Sequence, residues 1–289
     1  MLACVRTTPR GSAVVPDVNT ISTMSSRADY GIDSPAIVSG LCVLSGIGFG
    51  AALVWHLFGD PPLVGEIALV AAGTYFVLGA VGMVRYSKVG KLHIRDQILE
   101  QIPWRGQERV LDVGCGRGLL LIGAALRLST GKAVGLDRWL AGALTGNRPE
   151  AVLDNARLEG VLDRVEVKEG DVRQLPFADA SFDVILSNFV VHEVNNRAER
   201  EQMLREMVRV LEPGGRLALV DFIFTGECVR VFQEIGIADV KRSRVGSFFS
   251  FWSGAVLNFG LVQTYQVTGS KPSRTAAGTT QEGKGEIRR

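Results

Sequence analysis

An apolar, strand-like run leads directly into a glycine-rich turn at residues 109–118, RVLDVGCGRG. Glycine permits positive φ and close approach of a ligand to the backbone, and a helix that begins after the turn presents free N–H groups. Gly114, Gly116 and Gly118 have GxGxG spacing, whereas a dinucleotide fingerprint needs GxGxxG. The next residue is Leu119. The pattern therefore predicts a strand, a ligand-binding loop and a helix, and it disfavours a nicotinamide oxidoreductase.

Strand-like and helical segments alternate from this loop onward. The predicted strands are 109–113, 133–137, 164–168, 182–187 and 216–223. The predicted helices are 117–129, 147–159, 197–211 and 226–236. The uncharged segment 245–262 is interpreted as a hairpin of two final strands, with membrane contact as the alternative. This alternation predicts an α/β, Rossmann-like doubly wound fold with a mostly parallel seven-stranded sheet.

Two long apolar runs precede the glycine-rich loop. Residues 34–59 contain no Asp, Glu, Lys or Arg, and a second run covers about 63–84. Each run exceeds the ~18 apolar residues that can cross a bilayer core of about 30 Å. The Asp60-Pro61-Pro62 break between them is typical of a tight turn. The pattern predicts a transmembrane helical hairpin, with two buried helices of a soluble domain as the alternative.

The charges around these runs indicate an orientation. Four bases follow the second run: Arg85, Lys88, Lys91 and Arg95. Positive residues favour the cytoplasmic side, so we expect an integral membrane protein with two spans and the domain after residue 88 in the cytoplasm. Gly46 and Gly50 have GxxxG spacing, which permits close helix approach in a homo-oligomer or simply reflects the frequency of glycine in membrane helices.

Composition divides the chain into four segments. Residues 1–33 are polar and irregular, and 269–289 are rich in Gly, Ser, Thr and charge, so we predict disorder in both. Residues 34–88 hold the two predicted transmembrane helices, and 89–268 form the predicted α/β domain. Apolar residues at near-helical spacing in 91–101 predict a short amphipathic helix at the start of that domain.

Overall charge and cysteine usage exclude several classes of function. The chain carries 32 basic and 30 acidic residues, for a formal net charge of +2. That balance leaves no broad basic face, so nucleic acid is not a predicted partner. The four cysteines are scattered and have no histidine cluster nearby, so neither a disulfide framework nor a metal site is predicted.

The motif VLDVGCGRG resembles the first motif of the class I S-adenosylmethionine-dependent methyltransferases, in the branch that includes the ubiquinone and menaquinone methyltransferases. Further markers follow in the family's order: Asp137 after the second strand, GDV at 170–172 with LPF at 175–177, FDVILSNFVVHEV at 182–194, and LEPGGR at 211–216. The resemblance covers about residues 91–245 and not 1–90. It implies a methyltransferase domain that binds S-adenosyl-L-methionine.

The resemblance also assigns residues to the cofactor. The implied cofactor-binding residues are Asp112, Gly114, Cys115, Gly116, Gly118, Asp137, Asp171, Val172 and Asn188. In the family's pattern, Asp112 faces the methionyl amino group and Asp171 accepts from the adenine amino group. Asp137 accepts from the ribose diol, a role that an acid at the end of a second strand also suits by its own chemistry. A surface aspartate is the alternative for Asp137.

Two candidate catalytic residues, His192 and Glu193, follow the fourth strand. Histidine can act as a base near neutral pH, and a base is needed only when the nucleophile is protonated. The alternative places His192 under the cofactor as a packing residue and makes Glu193 a solvated or capping carboxylate.

The expected function is that of a membrane-anchored methyltransferase acting on a small acceptor. The hairpin suggests a lipid-soluble or lipid-like acceptor, such as a quinone precursor, sterol or isoprenoid, unless the anchor only localises the enzyme. The aromatic stretch at 248–252 either dips into the bilayer interface or packs in the core. A non-catalytic membrane protein that binds S-adenosylmethionine, as a sensor or scaffold, is the alternative function.

Overall fold

The computed structural model describes residues 28–59, 62–140, 144–245 and 263–273. It begins with two long helices, α1 (Pro35–Phe58) and α2 (Leu63–Arg85), which pack against each other as a hairpin. Both are long and apolar enough to cross a bilayer, by length and composition. The sequence prediction of two long apolar helices is therefore confirmed.

Small residues make the contact between the two helices. The hydroxyl of Ser45 donates a hydrogen bond to the carbonyl of Gly73 at 2.9 Å. A Cβ placed on Gly48 would lie 3.0 Å from the Gly73 backbone nitrogen, so the helices cross closely enough that any larger residue would crowd the Gly73 backbone. Gly46 and Gly50, by contrast, have no neighbouring atom within 4 Å of such a Cβ. The GxxxG pair does not hold the hairpin together, and its role in an oligomer stays a prediction.

The hairpin is joined to the α/β domain by continuous helix. A π-helical turn, Tyr86–Gly90, connects α2 to α3 (Lys91–Leu99). Ile94, Ile98 and Leu99 are buried against the domain, which confirms the predicted amphipathic helix. Two of the four bases expected near lipid, Lys91 and Arg95, are also buried there.

Residues 28–33 differ from the prediction of disorder for 1–33. Tyr30 is buried, and Asp33 pairs with Leu144 in an isolated antiparallel bridge. The Ile32 N–H donates to the Thr145 hydroxyl at 2.8 Å. The segment is ordered because it lies along the domain surface and satisfies its backbone there. We call residues 29–33 the strap. Residues 1–27 lie outside the described part of the chain.

A seven-stranded sheet forms the centre of the domain, in the order β3-β2-β1-β4-β5-β7-β6. The strands are β1 Arg109–Val113, β2 Lys132–Asp137, β3 Val165–Glu169, β4 Phe182–Asn188, β5 Leu211–Asp221, β6 Ala238–Arg244 and β7 Tyr265–Ser270. The first five are parallel, and β7 is antiparallel to both of its neighbours. The predicted Rossmann-like, mostly parallel fold is confirmed.

Four helices cover the faces of the sheet: α4 Leu119–Ala125, α5 Pro149–Leu158, α6 Arg197–Val210 and α7 Thr225–Glu234. Short 3-10 helices lie at Leu162–Arg164 and Val191–Glu193. Apolar cores fill both faces, one including Ile98 and Leu121 and the other Met203 and Phe232. The helices leave the carboxyl ends of the parallel strands as one open edge.

The sequence misplaced the last three strands in chain order. The fifth strand was predicted over 216–223, but β5 begins at Leu211, and the pairing with β4 shifts register between Phe182 and Val184. The last two strands lie on either side of the 245–262 segment in which they were expected. Residues 246–262, with the aromatic stretch, lie outside the described residues.

Candidate cofactor and acceptor site

The carboxyl ends of β1, β2, β4 and β5 surround a cavity of about 350 Å³. This is the edge at which doubly wound sheets bind their ligands. The cavity brings together most of the predicted site residues: Asp112, Gly114, Cys115, Gly116, Asp137, Val172, Asn188, His192 and Glu193. Gly118 and Asp171 are not among its lining residues.

Asp112 lies at the bottom of the cavity, within β1, and is 2% exposed. One carboxylate oxygen accepts the Leu121 N–H at 2.8 Å, and the other, Oδ1, is buried without a hydrogen-bond partner. Burial raises the pKa of Asp112 to about 7, and the nearby Asp137 charge adds to the effect. A buried carboxylate of this kind needs a donor, and a cationic ammonium is the donor that compensates it best.

The glycine-rich loop curves around this carboxylate. Gly114 and Gly116 have φ of 74° and 54°, a left-handed conformation that favours glycine. A Cβ on Gly114 would lie 2.3 Å from a methyl group of Val190, so the loop also depends on glycine for space. Gly118, with φ of 86°, precedes α4 and packs against Ile122 instead of lining the cavity. Its role is to shape the loop.

Asp137 ends β2 and holds the loop from the other side. One of its oxygens accepts the Gly116 N–H at 2.7 Å, and the other accepts the Trp139 N–H at the same distance. Each carboxylate oxygen keeps a second lone pair for a ligand hydroxyl. The placement at the cavity wall fits the predicted contact with a ribose diol.

Asp171 is placed differently from the resemblance-based expectation. Its carboxylate forms a hydrogen-bonded pair with Arg173 at 2.6 Å and lies 3.7 Å from Arg138. The hydrogen bonds from Arg173 lower the pKa of Asp171 to about 2. Val172, next in the chain, does line the cavity. Because the Asp171 carboxylate is paired with Arg173, its expected hydrogen bond with the adenine amino group stays a prediction.

Other buried polar atoms in the cavity wall also lack partners. They are Oδ1 of Asn147, Oδ1 of Asn188 and Nε of Arg117. Buried polar groups are normally hydrogen-bonded, so unpaired ones that line a cavity indicate a polar ligand. Together with Asp112 they offer acceptors for an ammonium or amide and a cationic donor for a carboxylate. That set of acceptors and donors fits a nucleoside that carries an amino acid, such as S-adenosylmethionine.

The predicted catalytic candidate His192 is held by a residue that the sequence analysis missed. Asp221, the last residue of β5, is fully buried and lies 3.1 Å from Nδ1 of His192 through Oδ2. The same oxygen accepts the His192 backbone N–H at 3.2 Å. When the imidazole is neutral, a carboxylate at Nδ1 favours the tautomer with its proton there, which leaves Nε2 as the basic nitrogen. The one available signal for Asp221 was an acid at the end of a predicted apolar strand.

Opposing effects set the pKa of His192. Burial lowers it, but the hydrogen bond and charge of Asp221, with a smaller contribution from Glu193, outweigh burial and raise the pKa above its usual value. Nε2 lies 3.3 Å from a Glu193 oxygen, and the Glu193 side chain is 58% exposed. Glu193 therefore raises the pKa of His192 from a largely solvent-exposed position.

Aromatic rings surround the histidine. The ring centroids of Phe222 and Phe189 lie 4.6 Å and 6.3 Å from that of His192. Phe189 directly follows β4 with φ of 56°, a strained conformation for a bulky residue, and its N–H bonds to the Val220 carbonyl. Such strain is concentrated at functional sites. The rings form an apolar wall beside the basic nitrogen.

Cys115 and Asn188 complete the set of predicted residues. The Cys115 thiol is buried among apolar atoms, and burial raises its pKa well above the ordinary value, so it is not a nucleophile. Its backbone N–H bonds to the Leu136 carbonyl and fixes the loop on β2. Asn188 ends β4 beside Phe189 and lines the cavity.

The outer part of the cavity is made by residues that the sequence analysis did not assign to the site. They come from the strap, from Ser34 before α1, from α2 and from the junction: Tyr30, Asp33, Ser34, Met83, Tyr86, Ser87 and Lys91. No motif in these residues predicts a ligand contact, since only the folded chain brings them to the strand ends.

The fold and the cavity fit the class I S-adenosylmethionine-dependent methyltransferase domain that the sequence resembles. Residues 111–219 match the family described as Methyltransferase domain. That range contains the glycine-rich loop, the acid at the end of β2 and the His192 segment. The chain therefore contains a methyltransferase domain of this family, joined to an apolar helical hairpin.

Relatives with curated names match the same region. The chain is 34% identical over 131 residues to 27-O-demethylrifamycin SV methyltransferase of Amycolatopsis mediterranei, covering 45% of this chain and 44% of that protein. It is 32% identical over 130 residues to a demethylmenaquinone methyltransferase of Lactiplantibacillus plantarum, covering 45% and 51%. The chain thus spans about half the length of these relatives.

A solved structure shares the fold. The 4+2 cyclase SpnF superposes with a TM-score of 0.51 at 21% identity, over 63% of this chain and 82% of that one. At this identity the likeness shows the architecture alone. Since that relative carries the name of a cyclase, the reaction has to be argued from the site.

Proposed function

We propose that this protein is a membrane-anchored S-adenosylmethionine-dependent methyltransferase that methylates a hydroxyl group of a small, lipid-soluble acceptor. The observation that carries the proposal is that one cavity is lined by a buried carboxylate and a half-buried imidazole. Asp112 presents an unpaired carboxylate oxygen beside the glycine-rich loop, and His192 presents a basic nitrogen held by Asp221.

When bound, the cofactor would supply a methyl group on a sulfonium, whose sulfur keeps the electron pair of the broken S–C bond and becomes a neutral thioether. The chain's own residues bind and orient the cofactor and the acceptor. Asp112 and Asp137 would hold the amino and ribose ends, so that the acceptor oxygen meets the methyl group at near-attack distance. His192 takes the proton that the acceptor hydroxyl loses as the new C–O bond forms.

Two observations favour oxygen as the acceptor atom. A hydroxyl is protonated at neutral pH, and a histidine held by a buried carboxylate is the arrangement that removes such a proton. The relative from Amycolatopsis mediterranei is named for a demethyl oxygen position on its substrate. The aromatic wall around His192 and the quinone in the name of the second relative support an apolar acceptor.

Membrane anchoring is supported by the surface of the hairpin. Large apolar side chains of both helices point away from the protein, including Phe58 at 84% and Val64 at 78% exposure. A soluble protein would bury these side chains in its core, since exposed apolar patches of this extent are unfavourable in water. Arg85, the last residue of α2, and Lys88, which follows it, are exposed, and these bases support the cytoplasmic orientation of the domain.

Calorimetric titration of S-adenosylmethionine into the detergent-solubilised full chain tests cofactor binding. We expect Asp112→Asn to weaken binding roughly 10- to 100-fold, the loss of one charge-assisted hydrogen bond. The asparagine oxygen can still accept the Leu121 N–H, so the loop should remain folded. Asp154→Asn, an exposed acid on α5, is the matched control and should bind like wild type.

Methyl transfer is then followed with radiolabelled cofactor and protein reconstituted with a total membrane lipid extract. The proposal is supported if radiolabel appears in the organic phase with wild-type protein and is lost with the His192→Gln variant. Label confined to water-soluble products contradicts a lipid-soluble acceptor. Tight cofactor binding without transfer to either phase leaves the non-catalytic sensor or scaffold as the function, and a folded wild-type protein that binds no cofactor refutes both.

A further inference from the structure

We infer that the hairpin is a part of the acceptor site and not only an anchor. Its cytoplasmic end forms a portal through which a long apolar chain of the acceptor remains in the bilayer while the hydroxyl end reaches His192. This inference rests on the proposed function and adds a chain-binding subsite, made by Ser34, Met83 and Tyr86, to the cofactor cavity.

Continuity of the cavity is the first argument. Ser34 immediately precedes α1, and Met83 lies in the last turn of α2. Both line the same cavity as Asp112 and His192, and Tyr86 in the π-helical turn lies next to them. The beginning of one hairpin helix and the end of the other are therefore at the same end of the hairpin, directly outside the strand ends.

The depth of this opening is the second argument. Exposed bases, Arg85 and Lys88, follow Met83 within five residues, and such bases mark the headgroup level of a bilayer. Met83 thus lies at the boundary between headgroups and hydrocarbon. An amphiphile at that boundary places its polar end at the level of the cavity and its chain in the lipid.

The internal pairing of the polar groups at the opening is the third argument. The Lys91 ammonium donates to the carbonyls of Tyr30 and Gly31 at 2.8 Å and 2.9 Å and lies 3.3 Å from Asp33. The Ser87 hydroxyl donates to the same carboxylate at 3.0 Å. Because these charges are satisfied within the protein, they do not require a charged ligand, and an uncharged chain can lie beside them.

The inner wall continues the apolar path. Phe189, Val190, Val194 and Phe222 line the same cavity as His192 and the residues of the hairpin end. Buried polar atoms without partners, on Asp112, Asn147, Asn188 and Arg117, line it too. The acceptor chain would pack on the apolar residues, and the cofactor would pair with the polar atoms.

Photolabelling tests the portal without requiring the natural acceptor. The probe is hexadecanol with a diazirine close to its hydroxyl, added to the full-length protein in phosphatidylcholine nanodiscs, with labelled sites located by peptide mass spectrometry. We expect label on Phe189 and Phe222 in the cavity wall, as well as on the lipid-facing surface of the hairpin.

A pair of tryptophan variants on one helix provides the control. Met83→Trp fills the opening, and the label on Phe189 and Phe222 should fall roughly tenfold or more, since overpacking a contact costs on the order of 1–3 kcal/mol. Val81→Trp adds the same side chain at a 58% exposed position on the lipid side and should leave that label unchanged.

The outcomes separate the two proposals. Wild-type label confined to the hairpin surface, or internal label that Met83→Trp does not reduce, overturns the portal. Calorimetric binding of S-adenosylmethionine by the same samples is measured independently. Normal cofactor binding with no internal label leaves the methyltransferase proposal standing without the portal, whereas internal label without cofactor binding refutes the methyltransferase proposal.

Discussion

At the scale of single residues, the cavity depends on two carboxylates with opposite tasks. Asp112 is buried with one oxygen unpaired, so its environment favours a cationic partner. Asp221 is buried too, but the His192 ring and backbone and the N–H groups of Phe222 and Ile223 surround it with donors. Its hydrogen bonds with the ring and backbone of His192 therefore orient the imidazole. The two aspartates thus have different roles because Asp221 accepts several hydrogen bonds from the protein, whereas Asp112 accepts one.

The charge of Asp221 should be measurable through the titration of His192. In wild-type protein we expect a His192 pKa above 6.5, so the neutral, basic form dominates only at higher pH. Asp221→Asn removes the charge that raises the pKa, and the midpoint should move to lower pH. Ring NMR signals followed against pH, assigned with His192→Gln, measure both values.

The same substitution should also slow catalysis. An asparagine amide can donate to Nδ1 and reverse the tautomer, so methyl transfer should fall by at least about 100-fold even where His192 is neutral. Glu193→Gln is the control, because its side chain is largely exposed and it contributes less to the histidine pKa. An unchanged midpoint in Asp221→Asn would contradict this account of the pair.

At the scale of secondary-structure elements, the helix face on which a glycine lies determines whether it takes part in the contact between α1 and α2. Gly46 and Gly50 have the recognisable spacing, yet Gly48 makes the close approach to Gly73. The three lie on one short stretch of α1, but helix rotation about the axis turns only Gly48 toward α2. Spacing alone could not choose between these faces because both consist of small and apolar residues.

A larger side chain at the crossing should separate the two helices. Gly48→Leu places atoms against the Gly73 backbone and should lower stability by about 1–3 kcal/mol, the usual cost of overpacking. Gly46→Leu, two residues away and open, should cost little. Thermal unfolding in detergent compares the two, and equal shifts in Tm would show that the described crossing does not hold the hairpin.

The strand that carries Asp221 also shows the limit of turn signals. Pro213, Gly214 and Gly215 predict a turn, and Gly214 does have φ of 85°. The backbone nevertheless belongs to β5 as an irregular, register-shifted start. Turn chemistry fixed the local bend, whereas pairing with β4 determined that the bend lies inside the sheet.

At the scale of the whole molecule, the strap joins the end of the hairpin to the α/β domain. Residues 29–33 contact the hairpin end through Lys91 and Ser87, and the α/β domain through Thr145 and Asn155. The hairpin and the domain are therefore linked by hydrogen bonds, buried or partly buried, next to the cavity. A change at this junction should alter both stability and the cavity.

Removing the junction lysine should test this coupling. Lys91→Met leaves the buried carbonyls of Tyr30 and Gly31 without their donor, at a cost of about 1–3 kcal/mol. We expect a lower Tm and faster proteolysis near residue 30. The control is Lys88→Met, which breaks only an exposed pair with Asp29 and should cost less than about 1 kcal/mol. Equal effects of both variants would show that the strap is not held by Lys91.

The sequence by itself determined the fold class and the apolar hairpin, which follow from periodicity and local motifs that act over a few residues. The resemblance carried by those motifs supplied the candidate cofactor residues. Only the tertiary structure decided that Asp221 holds His192, that Asp171 faces Arg173 and that the strap and Met83 border the cavity. Those contacts join residues distant in the chain, and they arise from packing, which leaves no local pattern in the sequence.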